Sequence, residues 1–326
     1  MREEERGTDG MGSKYLLCEM HTDSPTRIVL HLTHAPGISA ANVLIMVAIK
    51  LSHNLHTPMY FFLCGLSFSE TCTTMVIIPR MLADLLSGTK MISFPECAAQ
   101  MFFFFGLSSN NCFILTAMSY DRYIAIHNPL NYHMLMTRKI CFQQIMASFS
   151  VGILVSLTIV CTVFNLSFCD SKTIQHFFCD ISPVVLLACD YTFFHEMVIF
   201  VLCAFVLVGS FILIMVSYVF IVSVVVKMPS AKGRYKAFST CSSHLTVVCI
   251  HYGFACSVYL KPRNSASFRE DMLMAVTYTV LTPLLNPIVY SLRNREMQTA
   301  LWKVMGSANR LTQKIKKEPA HKTVVV

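Results

Sequence analysis

Six stretches of this chain are long and apolar enough to cross a bilayer, which leaves few folds open. They run Pro58–Pro79, Ala98–Tyr120, Ile140–Val163, Met197–Val226, Ala237–Leu260 and Met272–Leu292. A helix needs roughly 20 mainly apolar residues to span about 30 Å of hydrocarbon. A seventh stretch, Ile28–Ile49, is apolar only in its second half, because His31, His34, Pro36 and Gly37 interrupt the first. Barrel strands would be about 10 residues long and alternating, so these spans read as helices. Only 13% of the 326 residues are charged, and the mean hydropathy is +0.56. Soluble domains carry about 25% charged residues, and a disordered chain would be polar and highly charged. Both classes are excluded. The expected fold is an all-α membrane protein, a seven-transmembrane helix bundle with a short amphipathic eighth helix. It divides into an outer tail at 1–27, the bundle at 28–292, and an amphipathic helix with a basic tail at 293–326.

Orientation follows from Lys and Arg in the short connections, which favour the cytoplasm. One side holds Lys50, Arg122, Arg138, Lys139, Lys227, Lys232, Arg234 and Lys236. The tail after the seventh span adds eight more, from Arg293 to Lys322, so this side has most of the chain's 26 basic residues. The opposite loops carry Glu96, Asp170, Asp180, Asp190, Glu196, Glu270 and Asp271. The basic side is therefore expected in the cytoplasm and the amino terminus outside, in a multi-pass plasma-membrane protein. The net charge of +8 faces lipid or a cytoplasmic partner. It forms no basic folded face for nucleic acid. Residues 1–27 contain no apolar signal-peptide core, so insertion is expected to rely on the early spans.

Of the 14 cysteines, most lie in spans, where a thiol packs as a small hydrophobe. Cys97, Cys169, Cys179 and Cys189 fall on the outer side, where disulfides form. The last three sit in a loop, Phe164–Glu196, too long for a plain connector. Four cysteines allow three pairings, and spacing does not choose among them. His176, Cys179 and Asp180 offer an alternative metal site. Disulfide pairing would consume that thiol, and the oxidising compartment favours it.

Several motifs occur in order: LHTPMYFFL at Leu55–Leu63, SFPECA at Ser93–Ala98, MSYDRYIAIHNPL at Met118–Leu130, HFFCD at His176–Asp180, LLACD at Leu186–Asp190, SY at Ser217–Tyr218, KAFSTCSSHLTVV at Lys236–Val248 and PLLNPIVYSLRN at Pro283–Asn294. Together they resemble the olfactory (odorant) receptors among the rhodopsin-like G-protein-coupled receptors. Phe238-Ser239-Thr240-Cys241 is more similar to the tetrapod-type, class II branch. The resemblance runs from about Asn42 to Trp302. It implies disulfides Cys97–Cys179 and Cys169–Cys189, a small volatile odorant as ligand, and coupling to the stimulatory olfactory G protein with a rise in cyclic AMP. It implies no enzymatic activity.

Elementary chemistry assigns the motif residues their expected work. In Asp121-Arg122-Tyr123, a charge pair at a helix end costs least when the partners satisfy each other. Arg122 is expected to pair with Asp121 at rest, and with Tyr218 and the G protein when active. Asn286-Pro287 breaks the backbone ladder of the seventh span, and Tyr290 lies one turn beyond. His244 is either a hydrogen-bonded lock or a packed polar residue. Glu70 is an intramembrane charge and hence a functional candidate. With Asn42, Asn111 and Asn286 it forms a candidate polar cluster for water or a sodium ion. Many relatives carry a second carboxylate at Asn111, and its loss weakens the cation site. No other cofactor is expected. The cytoplasmic face for the G protein would comprise Arg122, Ile126, Pro129, Tyr218, Lys236 and Ala237. Asn294–Lys303 reads as a helix along the membrane, with Met297, Leu301 and Trp302 dipping inward.

The ligand pocket is expected between spans three, five, six and seven, toward the outer side. Phe104, Phe105, Ser108 and Ser109 would come from the third span, and Leu202 and Val206 from the fifth. Tyr252, Ala255 and Tyr259 come from the sixth at helical spacing, and Thr279 from the seventh. Such a lining suits a small, mainly apolar molecule with one hydrogen-bonding group. Some rings of Phe102–Phe105 must face lipid, since the run wraps around its helix.

The amino terminus departs from the family pattern. Met1–Ala41 contains no asparagine, and the chain's one glycosylation sequon, Asn165-Leu166-Ser167, abuts the fourth span. A poorly folded, non-signalling family member with a defective first helix is therefore one alternative. A receptor outside the nose sensing a metabolite is another. A retinal protein would need a lysine in Met272–Leu292 for its Schiff base, and there is none. A channel or transporter would show membrane-centred charges or paired broken helices. A metalloprotease would continue His195-Glu196 to a second histidine, but Ile199 stands there.

Overall fold

The computed structural model describes residues 15–18, 25–87, 91–168, 173–174, 176–260, 268–292 and 294–317. Its helices are α1 (Pro25–Leu51), α2 (Pro58–Ser87), α3 (Phe94–His127), α4 (Tyr132–Leu135), α5 (Arg138–Phe164), α6 (Ile181–Val185), α7 (Phe193–Ala204), α8 (Ser210–Val226), α9 (Ala231–Tyr259), α10 (Phe268–Leu292) and α11 (Arg295–Lys317). A π-helical turn, Phe205–Gly209, joins α7 to α8 in one column. The described residues thus form seven helical columns: α1, α2, α3, α5, α7–α8, α9 and α10. Five of them are long and apolar enough to cross a membrane, and α1 adds the shorter apolar stretch Gly37–Leu51.

The helices outrun the apolar stretches, because polar turns continue past the hydrocarbon. At the start of α3 the Ser93 side chain accepts from the Glu96 N–H, and Glu96 accepts from the Ser93 N–H. This capping box starts the helix at Phe94, four residues ahead of the apolar stretch. Thr137 caps α5 in the same way, accepting from the Ile140 N–H. Pro79 does not end α2, which continues to Ser87. The first helix runs without a break through the stretch whose histidines, proline and glycine made it a poor span on sequence.

Helix α3 is the hub, packing against α2, α5, α8 and α9. Its contact with α5 is close because both sides lack side-chain bulk. A Cβ added to Gly152 would lie 2.5 Å from the Gly106 carbonyl oxygen. Small residues let membrane helices approach in this way. The Ser156 hydroxyl then donates to the Phe102 carbonyl across the seam.

One end of the bundle carries the basic residues and the other carries the disulfides. At the disulfide end, β1 (Tyr15–Cys18), within the segment expected as a plain tail, lies between β2 (Met91–Ser93) and β3 (Thr173–Ile174). It pairs antiparallel with β2, Tyr15 opposite Ser93, and parallel with β3, Leu17 opposite Thr173. At the basic end, Asn294 Oδ1 accepts from the Glu296 and Met297 N–H groups and opens α11. Met297 and Ala300 are buried, and Leu301 packs against the core. Trp302 does not pack on the bundle. It is 72% exposed on the opposite face of the helix.

Candidate functional site

A small cavity of about 30 Å³ lies among α3, α5, α7, the π turn, α9 and α10. It is lined by Phe105, Ser108, Ser109, Leu202, Val206, Ala255 and Tyr259, seven of the ten residues expected at the ligand pocket. The remaining three lie elsewhere. Phe104 is fully buried against Phe178, ring centroids 4.9 Å apart. Phe104 and Thr279 border a second, smaller void near Glu70. Tyr252 sits below the cavity, its hydroxyl 2.7 Å from Ser210 Oγ and donating to the Cys112 carbonyl at 3.3 Å. The tyrosine thereby ties α9 to α8 and α3. Phe103, 52% exposed, is the ring of the phenylalanine run that faces outward.

The cavity also takes Cys112, Val155, Ile159, Cys203, Leu207 and Tyr278. Cys112 is one turn beyond Ser108 on the same face of α3, so helical spacing contained the signal. Val155 and Ile159 were missed because the fourth span was not expected to reach the pocket. The close α3–α5 seam at Gly106 and Gly152 brings it there. Val206 and Leu207 lie on the π turn, a distortion that often marks functional sites in helices. Cys112 Sγ lies 3.3 Å from His251 Nε2, both buried. The cavity has room for a water, while small-molecule pockets run to about 300–1,000 Å³.

Beneath the cavity, Glu70 Oε1 accepts from Asn111 Nδ2 at 3.1 Å and from Asn286 Nδ2 at 3.0 Å. Asn42, expected in this cluster, has another task. Its Nδ2 donates to the Pro283 carbonyl at 3.0 Å and to the Ile38 carbonyl at 3.2 Å. Pro287 cannot donate to the carbonyl four residues back, and Asn42 fills that vacancy from α1. Two amide N–H groups surround one oxygen of the single carboxylate, while Asn111 Oδ1 and Asn286 Oδ1 are buried without a partner. Among the described residues there is no group of three or more His, Cys, Asp or Glu able to hold a metal.

At the basic end, the expected Asp121–Arg122 pair is not formed. Asp121 Oδ1 accepts from the Tyr132 hydroxyl of α4 at 2.8 Å, and Arg122 Nη2 is buried without a hydrogen-bond partner. Tyr132, outside the spans, has its pKa raised by burial and by the neighbouring Asp121. Arg122 lines a cavity of about 80 Å³ with Tyr60, Met118, Ser239, Ser243, His244, Tyr290 and Asn294. Tyr218, expected against Arg122 in an active state, is 2.8 Å from His244 Nδ1, and His244 Nε2 is 3.1 Å from the Leu115 carbonyl. One tautomer satisfies both contacts: Nε2–H donates to Leu115, and Nδ1 accepts from Tyr218. His244 thus joins α9 to α3 and α8. Tyr123 packs near Phe220, ring centroids 5.8 Å apart. Ile126 is half-buried and Pro129 exposed. Lys236 stands on α9, and its side chain lies outside the described residues.

At the opposite end, Cys97 and Cys179 form a disulfide that ties α3 to the long loop. The thiol proposed as a metal ligand is therefore consumed. Cys189 is also disulfide-bonded. Its expected partner, Cys169, lies outside the described residues. Nearby, Phe168 bridges Ala188, and Asp190 accepts from the Ser167 N–H and hydroxyl. The Ser167 backbone N–H holds the Asp190 carboxyl below its usual range. His176 is buried with its ring stacked on Phe177, and burial pushes its pKa down to about 4.

The model of a family described as olfactory receptors matches residues 38–307. The chain is 55% identical to olfactory receptor 10Z1 of Homo sapiens, over 80% of this chain and 83% of that protein. It is 51% identical to olfactory receptor 10J4 of Homo sapiens, over 82% and 86%. With olfactory receptor 10J5 of Mus musculus it shares 47% identity, over 86% and 91%.

Proposed function

The chain belongs to the olfactory receptor family, whose members are multi-pass membrane receptors rather than enzymes. From that premise we propose that it binds a small, mainly apolar volatile molecule between α3, α5, the α7–α8 column, α9 and α10. Binding there activates a stimulatory olfactory G protein at the basic end and raises cyclic AMP. The amino terminus is outside and the receptor works in the plasma membrane. The excess of Lys and Arg at one end supports this orientation, and Cys97–Cys179 supports an oxidising environment at the other.

The observation that carries the reading is the pair of cavities on one helix. Phe105, Ser108, Ser109 and Cys112 face the outer cavity, while Met118 and Arg122 on α3 face the basic one. A ligand that enlarges the outer cavity pushes on α9 through Ala255 and Tyr259. Helix α9 also carries His244, whose bonds hold the basic end closed. Breaking those bonds opens the face around Arg122 to the G protein. No sodium ion is needed in this scheme, because amide donors satisfy Glu70 Oε1.

The test is a cyclic-AMP reporter in cells co-expressing the olfactory G protein, screened with neutral volatile molecules. The expected result is a saturable response to a subset of them. Arg122→Ala should remove that response while surface staining of an amino-terminal tag persists. Retained signalling in this variant would overturn the role given to Arg122.

A further inference from the structure

A third cavity, of about 740 Å³, opens on the outside of the bundle between α1, α2 and the start of α5, at the basic end. Its wall is apolar, and Val43, Val47 and Phe61 are each over one-third exposed along it. Its rim is basic: Lys50 ends α1, Arg138 opens α5, and His133 stands beside them, all exposed. No carboxylate is among its lining residues, and among the described residues neither Lys50 nor Arg138 has an ion-pair partner. A second outward groove, of about 410 Å³ between α3, α5 and α8, is lined by Phe113, Tyr120 and Leu213 and has no basic residue at all.

We infer that the α1–α2–α5 groove is a binding site for one anionic phospholipid of the adjoining leaflet. Its acyl chain lies along Val43, Val47 and Phe61, and its headgroup phosphate meets Lys50 and Arg138. The inference rests on the orientation proposed above, which turns this rim to the cytoplasmic leaflet, where anionic lipids reside. Uncompensated positive charge at the membrane surface selects an anionic headgroup over a zwitterionic one, by about fivefold for each Lys or Arg. The groove supplies the apolar length that a soluble phosphate cannot use. The uncharged α3–α5–α8 groove selects by shape alone and should not discriminate by headgroup.

The experiment uses the full chain in nanodiscs of phosphatidylcholine doped with phosphatidylserine carrying a photoreactive acyl chain. Peptide mapping of the wild-type protein should place the crosslinks on Val43–Lys50 and Pro58–Cys64. The matching phosphatidylcholine probe should label this groove weakly and both grooves alike. Lys50→Gln with Arg138→Gln should reduce phosphatidylserine labelling there by about 25-fold. Lys227→Gln with Lys232→Gln, an equal charge change elsewhere at the basic end, should leave it unchanged. Equal loss in both double variants means diffuse attraction and overturns the site. So does equal labelling by the two probes, or competition by soluble glycerophosphoserine, which would mark a phosphate site instead. If the first double variant cannot be recovered folded, the wild-type map and the two-probe comparison still decide the matter.

Discussion

Pro287 leaves the Pro283 carbonyl without its helical donor, and an asparagine on the neighbouring α1 column supplies one. An unpaired buried carbonyl costs about 1–3 kcal/mol, so Asn42→Ala should lower the melting temperature of the purified receptor where Asn42→Gln partly restores it. Sequence grouped Asn42 with Glu70 because both are polar and mid-span. It does not show which acceptor lies nearer, since that depends on how α1 and α10 cross. Asn111 is a case where the residue type was informative. A lone carboxylate between two amides should not need sodium, so replacing NaCl by choline chloride should leave wild-type stability unchanged. Asn111→Glu puts two carboxylates side by side and should make thermal stability sodium-dependent. Sodium dependence already in the wild type would refute the account of Glu70. His244 is the third such residue, with bonds to both Leu115 and Tyr218. Each net bond is worth about 1 kcal/mol. His244→Ala should therefore raise basal cyclic AMP per surface receptor by up to about 30-fold, and unchanged basal signalling would show that these bonds do not hold the closed state.

Among the spanning helices, existence was legible and boundaries were not. Apolar length located α2, α3, α5, the α7–α8 column, α9 and α10, because burying backbone polar groups in a bilayer leaves a helix as the economical form. Their ends are set instead by local caps such as Ser93 with Glu96, which apolar counting passes over. The π turn at Phe205–Gly209 and the strand at Tyr15–Cys18 gave no periodic signal: the first is a single wider turn, and the second is held by partners distant in sequence. Two residues of the pocket wall were hidden for a related reason, since Val155 and Ile159 reach it only through the α3–α5 seam. That seam gives the element-scale prediction. Gly152→Val would drive its side chain into the Gly106 carbonyl, and backbone at 2.5 Å cannot yield without moving the helix. The variant should be retained inside the cell. Gly253→Ala, whose added carbon would have nothing within 4 Å, should reach the surface normally. Surface display of Gly152→Val at the wild-type level would mean that the seam is looser than its geometry.

At the scale of the whole molecule, the two ends answer to different chemistry. The basic end carries Arg122, Lys227 and Lys232 and the hydrogen bonds of His244, while the disulfide end is closed by covalent bonds and a buried imidazole. Cys97–Cys179 links residues 82 apart in sequence, so the loop over the bundle cannot drift far even when its packing fails. His176 sets when that packing fails in acid. Its pKa is about 4 in the folded protein against an ordinary 6.5, because burial disfavours the charged ring. Between those values the unfolded loop binds a proton that the folded loop refuses. Stability from this group is therefore complete above about pH 6.5, declines as the pH falls toward about 4, and changes no further below. Melting curves of the purified receptor between pH 7.5 and 4 should show that decline. His176→Phe keeps an aromatic ring beside Phe177 but has no proton to take up. Its curve should lie lower at neutral pH, where the bond near the Phe178 carbonyl is lost, and should fall less steeply through the same window. Carboxylates elsewhere titrate alike in both proteins, so the difference between the two curves isolates the histidine. Parallel curves would show that His176 is already solvated in the native receptor and that the loop is held by its disulfides alone.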